Sequence, residues 1–292
     1  MLDTKINKIN TESIAPSIFL ILGVVNIAFV LLICVYLVIA GLPAIIKIGF
    51  VDFIFGTKWA STANPAQFGI LPFILTSVYG TAGAILIGLP LGFFSAVFLA
   101  KMAPKKIKLA VEPMVDLLDG IPSVVYGFIG MLVLVPAVQA IFNIPDGASL
   151  FSAIIVLSVM ILPSIIKVSI TAIEAVPAEY ELGSLALGAN KTETIFRVVV
   201  PAAKSGIAAA VVLGVGRAIG EAMAVMMVAG NVANMPNIFE SVRFLTTAVA
   251  SEMSYSSGLQ REALFSIALV LFVFIMMINA LLNMMLKKGS KK

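Results

Sequence analysis

Histidine is absent from the 292 residues, and cysteine and tryptophan occur once each. Without an imidazole no Ser-His or Cys-His nucleophile can be assembled, and a zinc or copper centre has neither the histidines nor the clustered thiols it needs. A single cysteine forms no internal disulfide, and Cys34 lies in an apolar run, where a thiol serves as packing. Charge is scarce as well: 12% of residues are Asp, Glu, Lys or Arg against 61% hydrophobic, with a mean hydropathy of +1.12. Such a chain lies far from soluble composition and reads as an all-α polytopic membrane protein. A phosphate loop is also missing, because Gly188-Ala189-Asn190-Lys191-Thr192 has the wrong spacing for one. Nucleotide hydrolysis is therefore not expected of this chain, and neither catalytic residues, a cofactor nor a metal is expected in it.

What remains is a series of apolar runs separated by short polar segments. Since a span needs about 20 apolar residues, the uncharged stretch 14–46 predicts a first transmembrane helix, too long for a signal peptide. Further spans are predicted near 70–100, 120–142, 150–171, 205–228 and 263–286, giving six. The organisation expected is a tail over 1–15, a first helix with an outer segment over 16–69, a core over 70–286 containing a polar segment at 174–204, and a basic tail at 287–292. The net charge of +4 belongs to this layout and not to nucleic acid. Most Lys and Arg fall in the two tails, at 101–108 and in the polar segment, all on one side. By the positive-inside bias both termini are expected in the cytoplasm.

The polar segment VPAEYELGSLALGANKTETIFRVVVP, beginning at Val176, carries Glu179, Glu181, Lys191, Glu193 and Arg197 between uncharged flanks. Charges at the bilayer centre cost about 3 kcal/mol each on insertion scales, so the segment is a loop. Leu182, Leu185 and Ala186 at helical spacing predict one short helix, Gly188 its end, and a second helix from Lys191 is predicted to stop at Pro201. Two short helices form a knob suited to a groove on a soluble partner.

Two other stretches stand out. DGIPSVVYG, from Asp119, puts proline and small residues at the start of a span, which fits either a broken helix lining a pathway or a plain proline kink. In the fifth span Arg217 and Glu221 lie four apart, on one face, and are expected to pair. The stripe Gly206, Ala210, Gly214, Ala218 and Ala222 turns that face toward protein or water. A charged pair there either locks helix register or meets an anion in transit. A second small-residue stripe, Gly80, Ala84, Gly88 and Gly92, predicts close helix packing. Glu112, Asp116 and Asp119 share a helix face near the inner surface and read as paired or solvated, not as a cation site.

Three of these stretches carry a resemblance. GIPSVVYG from Gly120, the loop with Gly188 followed ten residues on by Val198 and then by Val200-Pro201, and GRAIGEAMAV from Gly216 resemble the PstC-type permease subunits of bacterial ABC phosphate importers, within the binding-protein-dependent transport permease family. The likeness runs from about Phe68 to the C terminus. The loop is similar to the cytoplasmic EAA loop of such permeases, with Leu182 where that loop usually has Glu, Glu181 one place early, and Gly183-Ser184 in place of two alanines. The resemblance implies a MetI-like permease of six transmembrane helices in the bacterial inner membrane. It implies a substrate path through Arg217, Glu221, Ser123 and Tyr126, and an ATPase-docking surface at Glu181, Gly183, Ser184, Ala186, Gly188, Ala189 and Pro201. The partners implied are a second permease of PstA type, cytoplasmic ATPase subunits, an external phosphate-binding protein, phosphate and lipid. The residues by themselves reach a six-span transporter subunit with a docking loop. They leave open another oxyanion such as molybdate or sulfate, an ATP-independent secondary carrier, and an intramembrane enzyme or structural subunit.

Overall fold

A computed structural model of the chain describes residues 11–290. Residues 1–10 of the first expected tail and 291–292 of the last lie outside the described residues. Among the described residues the architecture is helical apart from one two-stranded hairpin, and five helices are long and apolar enough to cross a membrane, or six if a bent pair counts as one span.

The first helix, α1 (Thr11–Ile48), is apolar on every side and touches the body mainly along the last long helix. Between its end and the second span come α2 (Phe50–Phe55) and a hairpin of β1 (Trp59–Ala60) with β2 (Gln67–Phe68). Trp59 faces inward here: it packs edge-on against Phe68 at 5.4 Å and donates from Nε1 to Glu252 at 3.2 Å. The second span is α3 (Leu71–Val97), followed by the amphipathic α4 (Lys105–Gly120). The third comprises α5 (Ser123–Ile129) and α6 (Val135–Phe142), and the fourth is α7 (Leu150–Glu174). The polar segment folds as α8 (Ala178–Ala186), α9 (Lys191–Thr194) and α10 (Val200–Ala202). There follow α11 (Lys204–Gly220), α12 (Met223–Val228), α13 (Leu245–Glu252) and α14 (Gly258–Ser290).

Prolines explain where these helices change pitch. Five-residue π turns occupy Phe98–Met102, Gly130–Leu134 and Ile195–Val199, and a proline stands two residues past each, at Pro104, Pro136 and Pro201. A proline lacks the amide that would bond to the carbonyl four residues back and crowds that carbonyl. Widening the preceding turn to five residues relieves both at Pro136 and Pro201, which continue a helix, whereas Pro104 follows the extended Ala103 and opens α4. Pro201 therefore does not end the second loop helix, as its position had led us to expect. The helix passes through it to Ala202, and the chain then bends by 70° into α11.

Packing is organised around α7, which is buried over 72% of its most apolar window, more than any other candidate span described. Leu157, Met160, Ile161 and Ile165 lie in its core, each at most 1% exposed. The stripe on α3 works as its spacing predicts: a Cβ on Gly88 would stand 2.7 Å from Ile161 Cδ1 and 3.0 Å from the Ser158 carbonyl oxygen. Such approach also lets Ser158 Oγ donate to the Ala84 carbonyl at 3.3 Å. On α11 the second stripe buries Ala210, Gly214 and Ala218, with Gly214 against Ile165. A separate cluster of Phe53, Phe68, Phe73, Leu245 and Leu264 ties the outer segment to α13 and α14.

Gly88→Val should lower the stability of the detergent-solubilised protein by about 1–3 kcal/mol, the usual cost of overpacking, because Ile161 and a backbone carbonyl both stand in the way. Gly23→Ala, whose Cβ would meet nothing within 4 Å, should leave the thermal midpoint unchanged or slightly raised. Scanning fluorimetry of the two variants checks the difference.

Candidate functional site

The turn between α8 and α9 is held by its own backbone. Gly188 takes a φ of +89°, a conformation that favours glycine, and so lets the Gly188 amide reach the Leu185 carbonyl at 3.0 Å and the Ala189 amide reach that of Ser184 at 3.3 Å. This pairing satisfies carbonyls left open at a helix end. Asn190 then starts α9: its Oδ1 accepts from the Glu193 amide at 2.9 Å, while Glu193 Oε2 accepts from the Asn190 amide at 3.2 Å, a reciprocal cap. Ser184 and Thr194 share a hydroxyl hydrogen bond of 2.9 Å that clips the two helices together. Glu181 does not face solvent freely, because Lys101, in the π turn ending α3, donates to it at 2.7 Å. Gly183, Ala186, Gly188 and Pro201 are exposed and Ala189 is half-buried. Around them Tyr180, Leu182 and Leu187 also stand open, Leu187 at 91%. Beneath this face Ile195, Val199 and Ala203 pack onto Val97 and Ile173, so the knob is seated on α3 and α7.

At the ends of α4 and α11 two helix breaks meet. The first lies at Ile121-Pro122, where Ile121 is extended and α5 begins at Ser123. Proline disfavours helix in the residue before it, so DGIPSVVYG is a true break and not a kink in a continuous helix. The second lies at Glu221-Ala222, with Glu221 extended at φ −71° and ψ 131°. The segments that follow the breaks pack together: a Cβ at Gly127 of α5 would stand 2.7 Å from Ala224 Cα of α12.

This second break overturns the expected pairing of Arg217 with Glu221. The helical face that would have aligned them ends at Gly220, and the extended Glu221 turns away to accept from the Ala224 amide at 3.0 Å, capping α12. The carbonyl of Glu221 is itself satisfied by Thr246 Oγ1 at 2.7 Å. Arg217 instead reaches across to α4 and α7: its guanidinium donates to Asp119 Oδ1 at 2.7 Å and to Ser164 Oγ at 2.8 Å. Lys167 on α7 joins the cluster, 2.9 Å from Asp116 and 3.4 Å from Asp119. Tyr126 donates its hydroxyl to the Leu118 carbonyl at 2.7 Å, closing the last turn of α4 from the far side of the break. Ser123 opens α5 beside it, half-buried. The structure thus gathers Tyr126 and Arg217 at one seam, with Glu221 shaping the seam through the backbone. It adds Asp119, Ser164 and Lys167, which sequence reasoning did not place there.

Asp119 is only about one-third exposed, at 32% of its side chain, and Arg217 at 28%. The hydrogen bond from Arg217 holds the Asp119 carboxyl below the usual range against the opposing effect of burial, and Lys167 adds to the lowering. Further out on α4, Lys108 bonds Glu174 and lies 3.6 Å from Glu112. Its ammonium is held above the ordinary value chiefly by the bond to Glu174. The acidic face of α4 is thus paired, as its spacing implied. Among the described residues no group of three His, Cys, Asp or Glu is placed to hold a metal ion.

A lowered carboxyl contributes stability that is present above its unfolded value, about 3.9 for Asp, and that disappears as pH falls through the lower folded value. Asp119→Asn should therefore melt below the parent at pH 7, by an amount near 1 kcal/mol for a pair this accessible. The gap should close as pH falls below the ordinary Asp range, which melting curves of both proteins from pH 7 to pH 3 would check.

Comparison with known proteins bears on the family and the fold. Residues 88–288 match the family described as the binding-protein-dependent transport system inner membrane component. The chain is 40% identical to the probable ABC transporter permease protein YqgH of Bacillus subtilis, over 89% of this chain and 87% of that one. It is 33% identical to the phosphate transport system permease protein PstC of Haemophilus influenzae, over 90% and 89% of the two. Among solved structures it resembles the MetNI methionine ABC transporter, with a TM-score of 0.56 at 18% identity over 76% of this chain and 94% of that one. A bacterial ABC transporter importing the polysaccharide alginate gives 0.65 at 17% identity, over 95% and 98%. At such identities these structures speak for the fold, a MetI-like permease. By its family match and its relatives, this multi-pass membrane chain belongs to the binding-protein-dependent transport inner membrane components, the permease subunits of ABC importers.

Proposed function

We propose that the chain is the PstC-type permease of an ATP-driven importer of inorganic phosphate, with the translocation path along the seam where α5 meets α12 and α11 ends. One observation carries this reading: a guanidinium, held by one carboxylate and one hydroxyl, is set where α4 gives way to α5 and α11 to α12. Arginine matches the oxygens of an oxyanion with paired donors, and transporters place such groups at discontinuous helices. Relatives named as phosphate permeases, at 33% and 31% identity, support phosphate as the anion. Arg217 is the group that meets it, with Tyr126 and Ser123 lining the path. Glu221 keeps the path's shape by capping α12.

In this reading the core over 70–286 is the permease proper, and its segment 174–204 is the docking element. The exposed Tyr180, Leu182, Leu185 and Leu187 would enter a groove on an ATPase subunit. Gly188, Ala189 and the Ser184 bond fix the angle between the knob's helices, while Glu181 tethers it to Lys101. Pro201 sets the π turn that leads out of it. Gly183 and Ala186 keep part of its surface low. Both termini lie in the cytoplasm by the charge bias. A second permease of PstA type completes the passage, and an external phosphate-binding protein delivers the ion.

The test is uptake of labelled phosphate by the complete assembly in proteoliposomes. Arg217→Gln should slow it by about 10- to 100-fold, matching the roughly 1.5–3 kcal/mol of a hydrogen bond to a charged group. Unlabelled phosphate should compete while sulfate and molybdate do not. Leu182→Asp should cost the complex its ATPase subunit on purification. Uptake at the parent rate with Arg217→Gln would show that the anion passes elsewhere, and competition by molybdate or sulfate would reassign the substrate.

A further inference from the structure

The carboxylate that holds Arg217 stands between two cations. Asp119 Oδ1 is 2.7 Å from the Arg217 guanidinium, and Oδ2 is 3.4 Å from the Lys167 ammonium. The first contact is a closed hydrogen bond and the second is longer than a good one. Asp119 is also the residue before Gly120, at the very end of α4, where the chain leaves the helix at Ile121. A side chain at a helix end next to an interruption can swing without unwinding a turn. Lys167 meanwhile is on the rigid, buried α7 and keeps Asp116 at 2.9 Å. Ser164, one turn before Lys167 on the same helix, holds the guanidinium independently of Asp119.

Resting on the reading that Arg217 meets the anion, we propose that Asp119 is a displaceable counter-ion, which holds the guanidinium while the path is empty and passes to Lys167 when an oxyanion arrives. The physical requirement is charge. An oxyanion on Arg217 with Asp119 still in place would crowd like charges at a seam where both side chains are only about one-third exposed. A displaced carboxylate would lose the guanidinium, and Lys167 is the cation placed to take it up. Lys167 lowers that cost because it already stands 3.4 Å from Asp119 Oδ2, so the carboxylate can rotate about its side-chain bonds onto the ammonium as it leaves Arg217. During the exchange Ser164 keeps the guanidinium aimed at the seam. Asp119 and Lys167 are thus positioning residues: the anion contacts Arg217, and they set how readily that contact forms.

The experiment is a double-mutant cycle on phosphate uptake by the complete assembly in proteoliposomes, with the yield of assembled complex measured beside each rate. Lys167→Gln should slow uptake about tenfold, and adding Asp119→Asn should bring the rate back to within about twofold of Asp119→Asn alone, the non-additivity expected of groups acting on one another. Lys167→Arg, which keeps the charge, should transport like the parent. A double variant slower than either single one would overturn the exchange and leave Lys167 a purely structural bridge. So would a Lys167→Gln protein that transports at the parent rate while Arg217→Gln does not. Full uptake by Arg217→Gln would instead remove the underlying site reading, a distinguishable failure.

Discussion

A helix that stops leaves amides and carbonyls without partners in a next turn, and each must find another. This chain interrupts two helices side by side, and its central residues serve that need. Tyr126 takes the Leu118 carbonyl, the Glu221 carboxylate takes the Ala224 amide, and Thr246 takes the Glu221 carbonyl. Beside the breaks the cations are paired, Arg217 with Asp119 and Lys167 with Asp116 and Asp119, and α7 is the element from which Ser164 and Lys167 reach the cluster. The glycine stripe of α3 is what allows α7 to lie so deep. The architecture is thus arranged to bring one helix, bearing two polar side chains, against a seam of broken backbone.

The end of the bundle that carries the polar segment repeats the theme with ion pairs. Lys101 ties Glu181 of the polar segment to the end of α3, and Lys108 ties α4 to Glu174 at the end of α7. Each joins a loop or surface helix to a long span, so displacement of α8 is resisted by α3. The π turns before Pro104 and Pro201 lie at the same level. A wider turn is a local weakness in an otherwise stiff rod, and here two of them border the joint between the polar segment and the spans.

Much of this was legible in the sequence because it rests on local rules. Apolar run length marked the other spans while the stretch expected as the fifth, 205–228, breaks after Gly220; glycine spacing marked close packing on α3, and Gly188-Ala189-Asn190 marked the turn, since left-handed backbone and a reciprocal cap are properties of neighbouring residues. Proline spacing held information that the sequence reading left unused: the offset from π turn to proline is the same at Pro104, Pro136 and Pro201. What local rules could not reach was the partner of Arg217. Four-residue spacing pointed to Glu221, and the reasoning fails at Gly220, where the helix stops and takes the shared face with it. Asp119 is 98 residues away, and only the tertiary meeting of two breaks joins them. The signal that bore on it was the position of Asp119 directly before GIPSVVYG, a charged residue at the mouth of an interruption. Arg243 is a similar case on the outer side, where it bonds the Asn231 carbonyl at 2.9 Å and Glu252, far from any motif.

Under the proposed function this chain supplies the passage, and a separate subunit supplies hydrolysis through the knob at α8. The most direct measurement is the ATPase rate of the purified intact assembly in lipid, with and without phosphate-loaded binding protein, set beside the rate of this chain alone. The account predicts no hydrolysis by the chain alone and a several-fold rise in the assembly when phosphate is presented. An assembly indifferent to phosphate, or phosphate accumulation by the isolated chain with no companion subunit, would contradict it.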